Sequence, residues 1–584
     1  MIPCARVARL LLLATSLACA VPASAVDGDG PDSVVPALHL NQLGFAPGAR
    51  KLALVENAVA GGGFEVINQA DGSVVLAGKL SPAALWKPAA RRAAVADFSA
   101  VTAPGTYILR VPGLAPSDPF PVSPQAYAGL ADAALKAFYF NRAGIALDPA
   151  HAGAWARAAG HADVDIEIHP SAASKERQAG TTISAPKGWY DAGDYNKYVV
   201  NSGIATWSLL AAFEHYPGFF RDRDIGIPES GDGVPDILDE AWWNLEWMLA
   251  MQDPGDGGVY HKLTNLKFDG MVMPERATAR RYVVGKTTAA TLDFAAVMAI
   301  ASRIYPSHES RFPGQAARMR LAAERAWRWA QANPRVIYQQ PADVKTGTYG
   351  DETVTDEFAW AAAELYLATK DATYWRAFQR HATTPSVPSW TEVEALGWIS
   401  LAHYRERLPD ATARKKIPEG VLALAARLTT QWRASPWRVA MQSSDFVWGS
   451  NAVALNQGIV LLQGYQLGGD RAQLDAAQSQ LDYVLGRNPL GVSYVTGQGV
   501  RTPLHIHHRP SEADGVDAPV PGWLSGGPNP RQQDSAHCPP YPSREPALSW
   551  LDRTCSYASN EIAINWNAPL VYVAAGLQAL TPAE

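Results

Sequence analysis

The chain of 584 residues lacks three features: it has no run of Lys or Arg, no apolar segment approaching 20 residues, and only four Cys. A net charge of −6 without basic patches argues against nucleic acid and anionic membrane surfaces as partners. A membrane-spanning helix needs about 20 consecutive apolar residues, so we expect no membrane partner. The length suffices for two or more domains, each with its own core.

Aromatic residues, in contrast, are plentiful, with 19 Trp and 21 Tyr. Most of them belong in hydrophobic cores. Sugar rings, however, present apolar C–H faces that stack on exposed Trp and Tyr side chains. The excess therefore mildly favours a carbohydrate ligand.

Residues 1–25 have the composition of a secretory signal. Two Arg precede apolar residues 10–13, and Ala23-Ser24-Ala25 forms a small-x-small cleavage site. A lipoprotein signal through Cys19 is the alternative, but Ser16 is a poor residue three positions before that Cys. The segment predicts a secreted or periplasmic protein.

Removal of the signal leaves two cysteines, Cys538 and Cys555. In an oxidising compartment a disulfide between them can persist. It would close a loop just before Glu561 and contribute about 2–4 kcal/mol to stability. The alternative, two free thiols, is less expected in a secreted protein.

Two regions of different periodicity follow a linker at 26–36. Residues 37–123 contain short alternating apolar runs separated by Gly, Pro and Asp, which predicts a small β-sandwich. Residues 124–584 change to helical periods with almost no strand signal. Candidate helices lie at 126–141, 202–216, 236–251, 287–304, 314–332, 355–368, 393–405, 418–433, 450–466, 471–485 and 567–580. About eleven or twelve helices in one block favour six paired hairpins, an all-α (α/α)6 barrel whose long loops carry the chemistry.

Asp191 and Asp194 stand among mostly aromatic and amide residues in Gly-Trp-Tyr-Asp-Ala-Gly-Asp-Tyr-Asn-Lys-Tyr, residues 188–198. The intervening Gly permits a tight backbone path, so both carboxylates can point into one cavity. One Asp could then take a proton from a water molecule that the other orients. Taken alone, an Asp-x-x-Asp pattern is more often a turn whose side chains cap backbone N–H groups, and this alternative stays open.

Residues 504–509, Leu-His-Ile-His-His-Arg, contain three His. A metal site is one interpretation, but no Cys or carboxylate lies at ligand spacing, and Arg509 would repel a cation. His507 and Arg509 fit better as hydrogen-bond donors to sugar hydroxyls or to reacting carboxylates. A polar surface loop is the alternative, with equal weight.

Glu561 lies in Ser-Asn-Glu-Ile-Ala-Ile-Asn-Trp-Asn-Ala-Pro, residues 559–569, just before a predicted apolar helix. An acid is favoured near a helix N-terminus in any case. Packing against Tyr557 and Trp566, however, would favour its protonated form through desolvation, as a general acid requires. Two opposed carboxyl groups among aromatic side chains are what glycosidic bond cleavage requires.

These motifs make the chain similar to the family 9 glycoside hydrolases, the inverting cellulases, in the subgroup with an N-terminal immunoglobulin-like domain. The resemblance covers essentially the whole mature sequence. It rests on the Asp-Ala-Gly-Asp element, on the domain-opening Leu-Asn-Gln-Leu-Gly-Phe-Ala-Pro, and on two long motifs, from Ser493 to Arg509 and from Trp550 to Ala568.

The resemblance implies three catalytic roles. Asp194 resembles the catalytic base, Asp191 the residue that helps to hold the nucleophilic water, and Glu561 the general acid. Inverting chemistry predicts a separation of about 6.5–9.5 Å between acid and base carboxyl groups, against about 5 Å in retaining enzymes.

Further residues resemble supporting and sugar-binding positions. His507 and Arg509 resemble the pair that hydrogen-bonds around the −1 sugar and the acid, and Asp552 resembles a supporting carboxylate. Four side chains resemble contacts or lining of the sugar subsites: His261, Trp448, Tyr557 and Trp566.

Family members of this subgroup often bind calcium and sometimes zinc. Three acidic residues offer oxygen ligands at a spacing that suits calcium: Asp351, Asp356 and Glu357. Glu392 is a distant fourth candidate. A helix N-terminus enriched in acids is the alternative. Where relatives carry zinc-binding Cys, this chain has Arg142-Ala143-Gly144 and Ala159-Gly160-His161, so we expect no zinc and no organic cofactor.

We therefore expect a monomeric, secreted or periplasmic β-1,4-glucanase acting on cellulose-type glucans or cello-oligosaccharides. Within the resemblance, the alternatives are a cellodextrinase and an exo-acting glycosidase on chitosan or chito-oligosaccharides, an exo-β-glucosaminidase. A catalytically inactive sugar-binding protein is disfavoured because Asp191, Asp194 and Glu561 are all present. The lengths of loops around the cleft, above all 510–548, decide between endo and exo action.

Overall fold

The computed structural model describes residues 37–59 and 61–581. The predicted signal, 1–25, and linker, 26–36, lie outside these residues. Within them, no helix is both long and apolar enough to cross a membrane.

The N-terminal region is a β-sandwich. In the described residues its strands are β1 (Leu38–His39), β2 (Leu52–Glu56), β3 (Gly63–Asn68), β4 (Val74–Lys79), β5 (Ala84–Trp86), β6 (Arg91–Asp97), β7 (Gly105–Arg110) and β8 (Phe120–Val122). They form two antiparallel sheets, β1-β2-β6-β5 and β4-β3-β7-β8. Alternating side chains of both sheets fill the space between them, where Phe45, Phe98 and Phe120 meet. The predicted sandwich is confirmed.

The rest of the chain is mainly helical. Within the described residues the helices are α1 (Ala128–Phe140), α2 (Pro149–Ala152), α3 (Val199–His215), α4 (Pro217–Phe220), α5 (Asp236–Ala250), α6 (Thr288–Ile304), α7 (Gln315–Ala332), α8 (Thr355–Thr369), α9 (Ala372–His381), α10 (Glu394–His403), α11 (Ala411–Ala434), α12 (Ser450–Gly468), α13 (Arg471–Val484), α14 (Arg509–Ala513), α15 (Tyr557–Asn560) and α16 (Ile564–Leu580).

Six of these helices close into an inner ring, in the order α3, α6, α8, α10, α12 and α16, and each packs against the next. An outer helix covers each of them: α5, α7, α9, α11, α13 and α1. Residue patterns explain the two layers. Every residue of α6 except Arg303 is buried, whereas α7 buries only a stripe at helical spacing. The predicted (α/α)6 barrel is confirmed.

A five-stranded sheet lies within the helical region, against the expectation of almost no strands there. Its strands are β9 (Ile166–Ile168), β10 (Thr182–Ile183), β11 (Lys197–Tyr198), β12 (Tyr260–Asn265) and β13 (Arg281–Lys286), in the order β10-β9-β13-β12-β11. Strands of two to six residues are too short to show a clear two-residue period. The expectation was wrong because long loops between helices pair with each other.

The sandwich contacts the barrel beside the segment that leads to the His motif. Asn41 donates a buried hydrogen bond to Asp482 at 2.9 Å, and Trp86 stacks on Trp437 with ring centroids 5.1 Å apart. The side-chain oxygen of Gln42 accepts the backbone N–H groups of Val500 and Arg501 at 2.8 and 2.9 Å. The sandwich thus supports the chain that enters the residue 504–509 motif.

Candidate active site

The predicted catalytic residues lie on loops that directly precede inner helices. Asp191 and Asp194 precede α3, and Glu561 precedes α16. Although these loops are far apart in sequence, they join through the backbone: Ala192 and Ala563 form an antiparallel bridge, and the amide of Ile564 donates to the carbonyl of Asp191 at 2.9 Å. The structure therefore brings all three carboxylates to one rim of the barrel.

The two Asp carboxylates are buried, and neighbouring side chains donate hydrogen bonds to them. For Asp191, Asn201 donates to Oδ1 and the hydroxyl of Tyr349 to Oδ2, both at 2.7 Å. The Oδ2 atom of Asp194 accepts from Asn196 at 2.5 Å and from Tyr198 at 3.2 Å. Hydrogen bonds thus fix both side chains in the site, and Asp194 in addition interacts with the backbone N–H of Asn196, as in a capped turn.

Glu561 lies on the segment that pairs with this loop through the bridge between Ala192 and Ala563. The backbone N–H of Gly193, which lies between the two Asp, opposes the rise that burial causes in the pKa of the Glu561 carboxyl group. Its own backbone pairs with His507 in a parallel bridge, and its carbonyl accepts the amide of Gly526 at 2.8 Å. The residue remains partly exposed, so a substrate can reach it.

The environments of the three carboxyl groups differ in ways that separate their roles. Burial raises the pKa of Glu561 well above its usual range, and the charges of Asp194 and Asp191 raise it further. Burial also raises the pKa of Asp191 well above its usual range, with the charge of Asp194 adding to the effect. For Asp194, burial raises the pKa, but the charge of Arg509 and hydrogen bonds from two side chains oppose the rise. The surroundings therefore favour the protonated form of Glu561, although the charge of Arg509 opposes this, while Asp194 is the Asp that ionises more readily.

His507 and Arg509 lie beside the carboxylates. The Nδ1 atom of His507 hydrogen-bonds the carbonyl of Thr554 at 2.6 Å, and burial lowers the pKa of the imidazole to about 4. The ring is therefore neutral, donates from Nδ1 and leaves Nε2 free to accept. Arg509 donates from Nη1 to the carbonyl of Gly193 at 2.6 Å and from Nε and Nη2 to that of Asp269 at 3.0 and 2.9 Å. Direct sugar contacts by this pair remain a prediction.

Asp552 supports the His motif through the backbone. Its carboxylate accepts the amides of Leu504 and His505, both at 2.9 Å, and the side chain of Asn560 at 2.8 Å. Asn560 in turn immediately precedes Glu561. Asp552 thus connects the two motifs of the sequence and contacts neither Asp191 nor Asp194 within hydrogen-bond distance among the described residues.

The predicted sugar-binding aromatic residues form a path next to His507. The rings of His507 and Tyr557 lie 6.0 Å apart, and those of Tyr557 and Trp448 5.4 Å apart. Trp448 is 42% exposed, which suits a stacking platform for a sugar ring. Trp566 packs against Gly449, where an added Cβ would lie 2.5 Å from its Nε1 atom.

His261 occupies a supporting position. It is buried and stacked on Tyr338 with ring centroids 4.0 Å apart, and its nitrogens contact Thr287 at 3.0 Å and the carbonyl of Thr348 at 2.8 Å. Both nitrogens are thus already engaged. A direct contact between His261 and sugar would need one of these bonds to break and stays a prediction.

Sequence reasoning missed Tyr349, which contacts Asp191. Its φ of 43° lies in the left-handed region, which a bulky side chain rarely adopts. Such strain persists where the surroundings over-determine it, often at functional sites. The carbonyl before it is held by His261, and its ring packs against Tyr198 and Trp390 at 4.7 and 5.2 Å. No local motif marks it, because its partner is 158 positions away.

Comparison with known proteins identifies the group to which this arrangement belongs. Residues 127–574, more than half of the chain, match the family described as Glycosyl hydrolase family 9. The chain belongs to glycosyl hydrolase family 9. Residues 33–115 match the Cellulase N-terminal ig-like domain. The predicted family and subgroup are thereby confirmed.

Similar family 9 proteins match over nearly the whole chain. A xyloglucan-specific endo-β-1,4-glucanase of Bacteroides ovatus is 43% identical over 566 residues, covering 94% of this chain and 95% of the relative. Endoglucanase D of Acetivibrio thermocellus is 31% identical over 545 residues, covering 92% and 83%. The solved Bacteroides ovatus GH9 structure superimposes with a TM-score of 0.87 at 41% identity, covering 93% of this chain and 99% of that chain. The protein is thus a glycoside hydrolase of the endo-β-1,4-glucanase type with a glucan polysaccharide as substrate, as predicted.

The calcium ligands predicted from the family resemblance lie in a buried acidic cluster at the start of α8. Asp293 of α6, which the sequence had not indicated, lies close enough to Asp351, Asp356 and Glu357 for their charges to interact. Both carboxylate oxygens of Asp293 and of Glu357 are buried without a hydrogen-bond partner. In the described part of the chain, no three His, Cys, Asp or Glu side chains are arranged to hold a metal ion as they stand. The donor chemistry nevertheless suits calcium, because unpartnered buried carboxylates require protons or a cation.

The structure also gives the positions of the two cysteines and of His161. Cys538 and Cys555 are bonded, with Cα atoms 5.6 Å apart, in the loop before Glu561. The Nδ1 atom of His161 hydrogen-bonds the hydroxyl of Tyr190 at 2.8 Å. The absence of zinc from this protein remains a prediction from the residues present.

Gly193 is expected to tolerate no side chain. An added Cβ would lie 2.2 Å from the carbonyl oxygen of His507 and 2.9 Å from its ring. For Gly193→Ala we expect a loss of about 1–3 kcal/mol in the free energy of unfolding, as in overpacked sites. Because the added methyl group would push the loop of Gly193 away from the segment of His507, kcat should also fall at least about tenfold. Thermal unfolding and initial rates measure both effects.

Gly129→Ala is the matched control. Gly129 lies on α1, and an added Cβ there meets nothing within 4 Å. In a helix this change should stabilise by about 0.5–1 kcal/mol and leave kcat unchanged. Equal behaviour of the two variants would show that contact between Gly193 and His507 is unimportant.

Proposed function

We propose that this protein is an exported, inverting endo-β-1,4-glucanase in which Asp194 is the general base and Glu561 the general acid. One observation carries the proposal: the bridge between Ala192 and Ala563 brings the carboxyl groups of Asp194 and Glu561 to one rim, where burial raises the pKa of both and two side-chain hydrogen bonds oppose the rise at Asp194. Export rests on the composition of residues 1–25.

The proposed reaction breaks one C–O bond and forms another. Glu561 donates its proton to the glycosidic oxygen, and the leaving sugar departs with a free hydroxyl group. A water molecule attacks the anomeric carbon from the opposite face and gives its proton to Asp194. Asp191, held by Asn201 and Tyr349, accepts a hydrogen bond from this water and orients it. Afterwards the proton passes from Asp194 to solvent and Glu561 is reprotonated.

The proposed substrates are soluble glucans with a β-1,4-linked backbone, including cello-oligosaccharides. The half-exposed Trp448 and its neighbour Tyr557 offer stacking surfaces for successive rings. Because one similar family 9 protein is a xyloglucan-specific enzyme, we include xyloglucan.

Initial rates on four substrates test the substrate class: carboxymethyl-cellulose, xyloglucan, cello-oligosaccharides and glucosamine oligomers. The rate of the Glu561→Gln variant on each substrate serves as the background. We expect hydrolysis above background on at least one of the first three and none on the last. Activity confined to glucosamine oligomers would overturn the glucanase proposal in favour of the exo-β-glucosaminidase alternative.

We also propose that the acidic cluster at the start of α8 binds calcium. Asp356 and Glu357 supply side chains from α8, and Asp293 of α6 lies close enough for its charge to act on Glu357. Bound calcium would neutralise the cluster and fix the start of α8. A ligand at 100 times its Kd stabilises a protein by about 2.7 kcal/mol. We therefore expect calcium to raise Tm and chelation to lower it.

Variants locate the calcium effect. In Asp293→Asn and Glu357→Gln, calcium should no longer raise Tm. In Glu392→Gln, which replaces the distant fourth carboxylate, calcium should still raise Tm, by an amount closer to that in the parent. A calcium-induced shift that is the same in Glu357→Gln and in the parent would place the ion elsewhere.

A further inference from the structure

A buried carboxylate outside the catalytic set, Asp163, lies behind the loop that carries Asp191 and Asp194. Its side chain is 1% exposed and pairs with two cations, the Nζ atom of Lys197 at 2.7 Å and the Nε atom of Arg281 at 3.1 Å. The side chains of Lys197 and Arg281 are only 0% and 5% exposed. One carboxylate thus pairs with two buried cations, so the three ionised groups together carry one excess positive charge.

Both cations also hold the backbone of the catalytic loop. Lys197 donates to the carbonyl of Lys187 at 2.6 Å, and Arg281 donates from Nη1 to the carbonyl of Tyr195 at 2.8 Å. The carbonyl of Asp163 itself accepts the amide of Ala185 at 2.8 Å. These contacts fix both ends of segment 185–197, whose middle carries the two catalytic Asp residues.

A second buried ion network shows what a purely structural arrangement looks like. Arg303 of α6 pairs with Glu214 at 2.9 Å and with Glu364. Its partners are side chains of inner helices, and Glu214 lies at the end of α3 farthest from the catalytic loop. Unlike Arg281, the guanidinium of Arg303 donates to no backbone of the catalytic loop.

We propose that Asp163 and Arg281 are positioning residues for catalysis: they clamp the backbone on either side of the Asp pair and thereby set the distance between Asp194 and the attacking water. The inference rests on the proposed roles of Asp191 and Asp194. A misplacement of about 1 Å at a reacting group can cost about 10²-fold in rate. The clamp therefore affects kcat as well as stability.

Arg281→Gln tests the clamp. It removes the donor to the Tyr195 carbonyl but leaves Asp163 and Lys197 as a one-to-one pair, so no buried charge is left alone. We expect kcat on a cello-oligosaccharide to fall at least about tenfold, while KM changes less than about twofold. Arg281→Lys, which keeps a donor near that carbonyl, should recover most of the loss.

Arg303→Gln is the matched control, measured well below its Tm. It should lower Tm and leave kcat within about twofold of the parent. If Arg281→Gln does not fold, Lys197→Gln makes the same test, because Asp163 then stays paired with Arg281 and the tether to the Lys187 carbonyl is lost.

Two results would overturn the inference. In one, Arg281→Gln keeps kcat within about twofold while its Tm falls as in Arg303→Gln; in the other, both variants lose kcat equally. Asp194→Asn is assayed in parallel: if it kept full activity, the proposed function itself would be wrong. Loss of activity in Asp194→Asn with unchanged kcat in Arg281→Gln would overturn only the clamp.

Discussion

Replacement of Glu561 by Gln is expected to lower kcat on cello-oligosaccharides by about 10²–10⁴-fold, the usual contribution of a general acid. Gln cannot donate the proton that the departing sugar needs. The pKa of Glu561 is raised well above its usual range by burial and by the two Asp charges. Activity of the parent should therefore decline at high pH as Glu561 ionises, and this alkaline decline should be missing from the residual activity of the variant.

An activated substrate separates acid catalysis from other effects. A dinitrophenyl cellobioside releases a phenolate that needs no proton. On this substrate Glu561→Gln should stay within about tenfold of the parent, since little acid assistance is left to lose. An equal loss on both substrates would mean that Glu561 acts in binding or folding.

Replacement of Asp194 by Asn is expected to reduce kcat by at least about 10³-fold on both the oligosaccharide and the dinitrophenyl substrate. Both reactions need a deprotonated water, whatever the leaving group. Burial raises the pKa of Asp194, although Arg509 opposes the rise. The parent should therefore lose activity as the pH falls through this raised pKa, because protonated Asp194 cannot accept a proton.

Asp165→Asn is the control for Asp194→Asn. Asp165 is an exposed carboxylate paired with Arg280 at 2.9 Å, and its loss should leave kcat within about twofold, as for surface pairs of small energetic weight. If Asp194→Asn lost activity only on the oligosaccharide, Asp194 would not be the base for the attacking water.

Much of the fold followed from periodicity. Helices predicted at 287–304 and 314–332 lie at Thr288–Ile304 and Gln315–Ala332. Boundaries failed at prolines: the helix predicted at 418–433 begins at Ala411, and Pro418 lies inside it. A proline is typical of the first turn of a helix, so the sequence suggested a start there. The short helix Ala372–His381 was missed because its ten residues give too few turns for a clear period, although its apolar residues lie at helical spacing.

The candidate site was predictable where a motif carries its own chemistry. The Asp191 and Asp194 loop, the His507 motif and the Glu561 motif contain unusual residues in a short span. Tyr349 and Arg281 do not, because their roles arise from contacts across 158 and 86 positions. Backbone strain at Tyr349 and the buried charge of Arg281 become visible only once the chain is folded.

The configuration of the first product tests the central claim most directly. Hydrolysis of a cello-oligosaccharide is followed by proton NMR at early times, before the sugar mutarotates. Inversion of a β-linkage by Asp194 and Glu561 predicts that the new reducing end appears first as the α-anomer. Initial formation of the β-anomer would contradict the account, because it requires a covalent intermediate and a retaining mechanism.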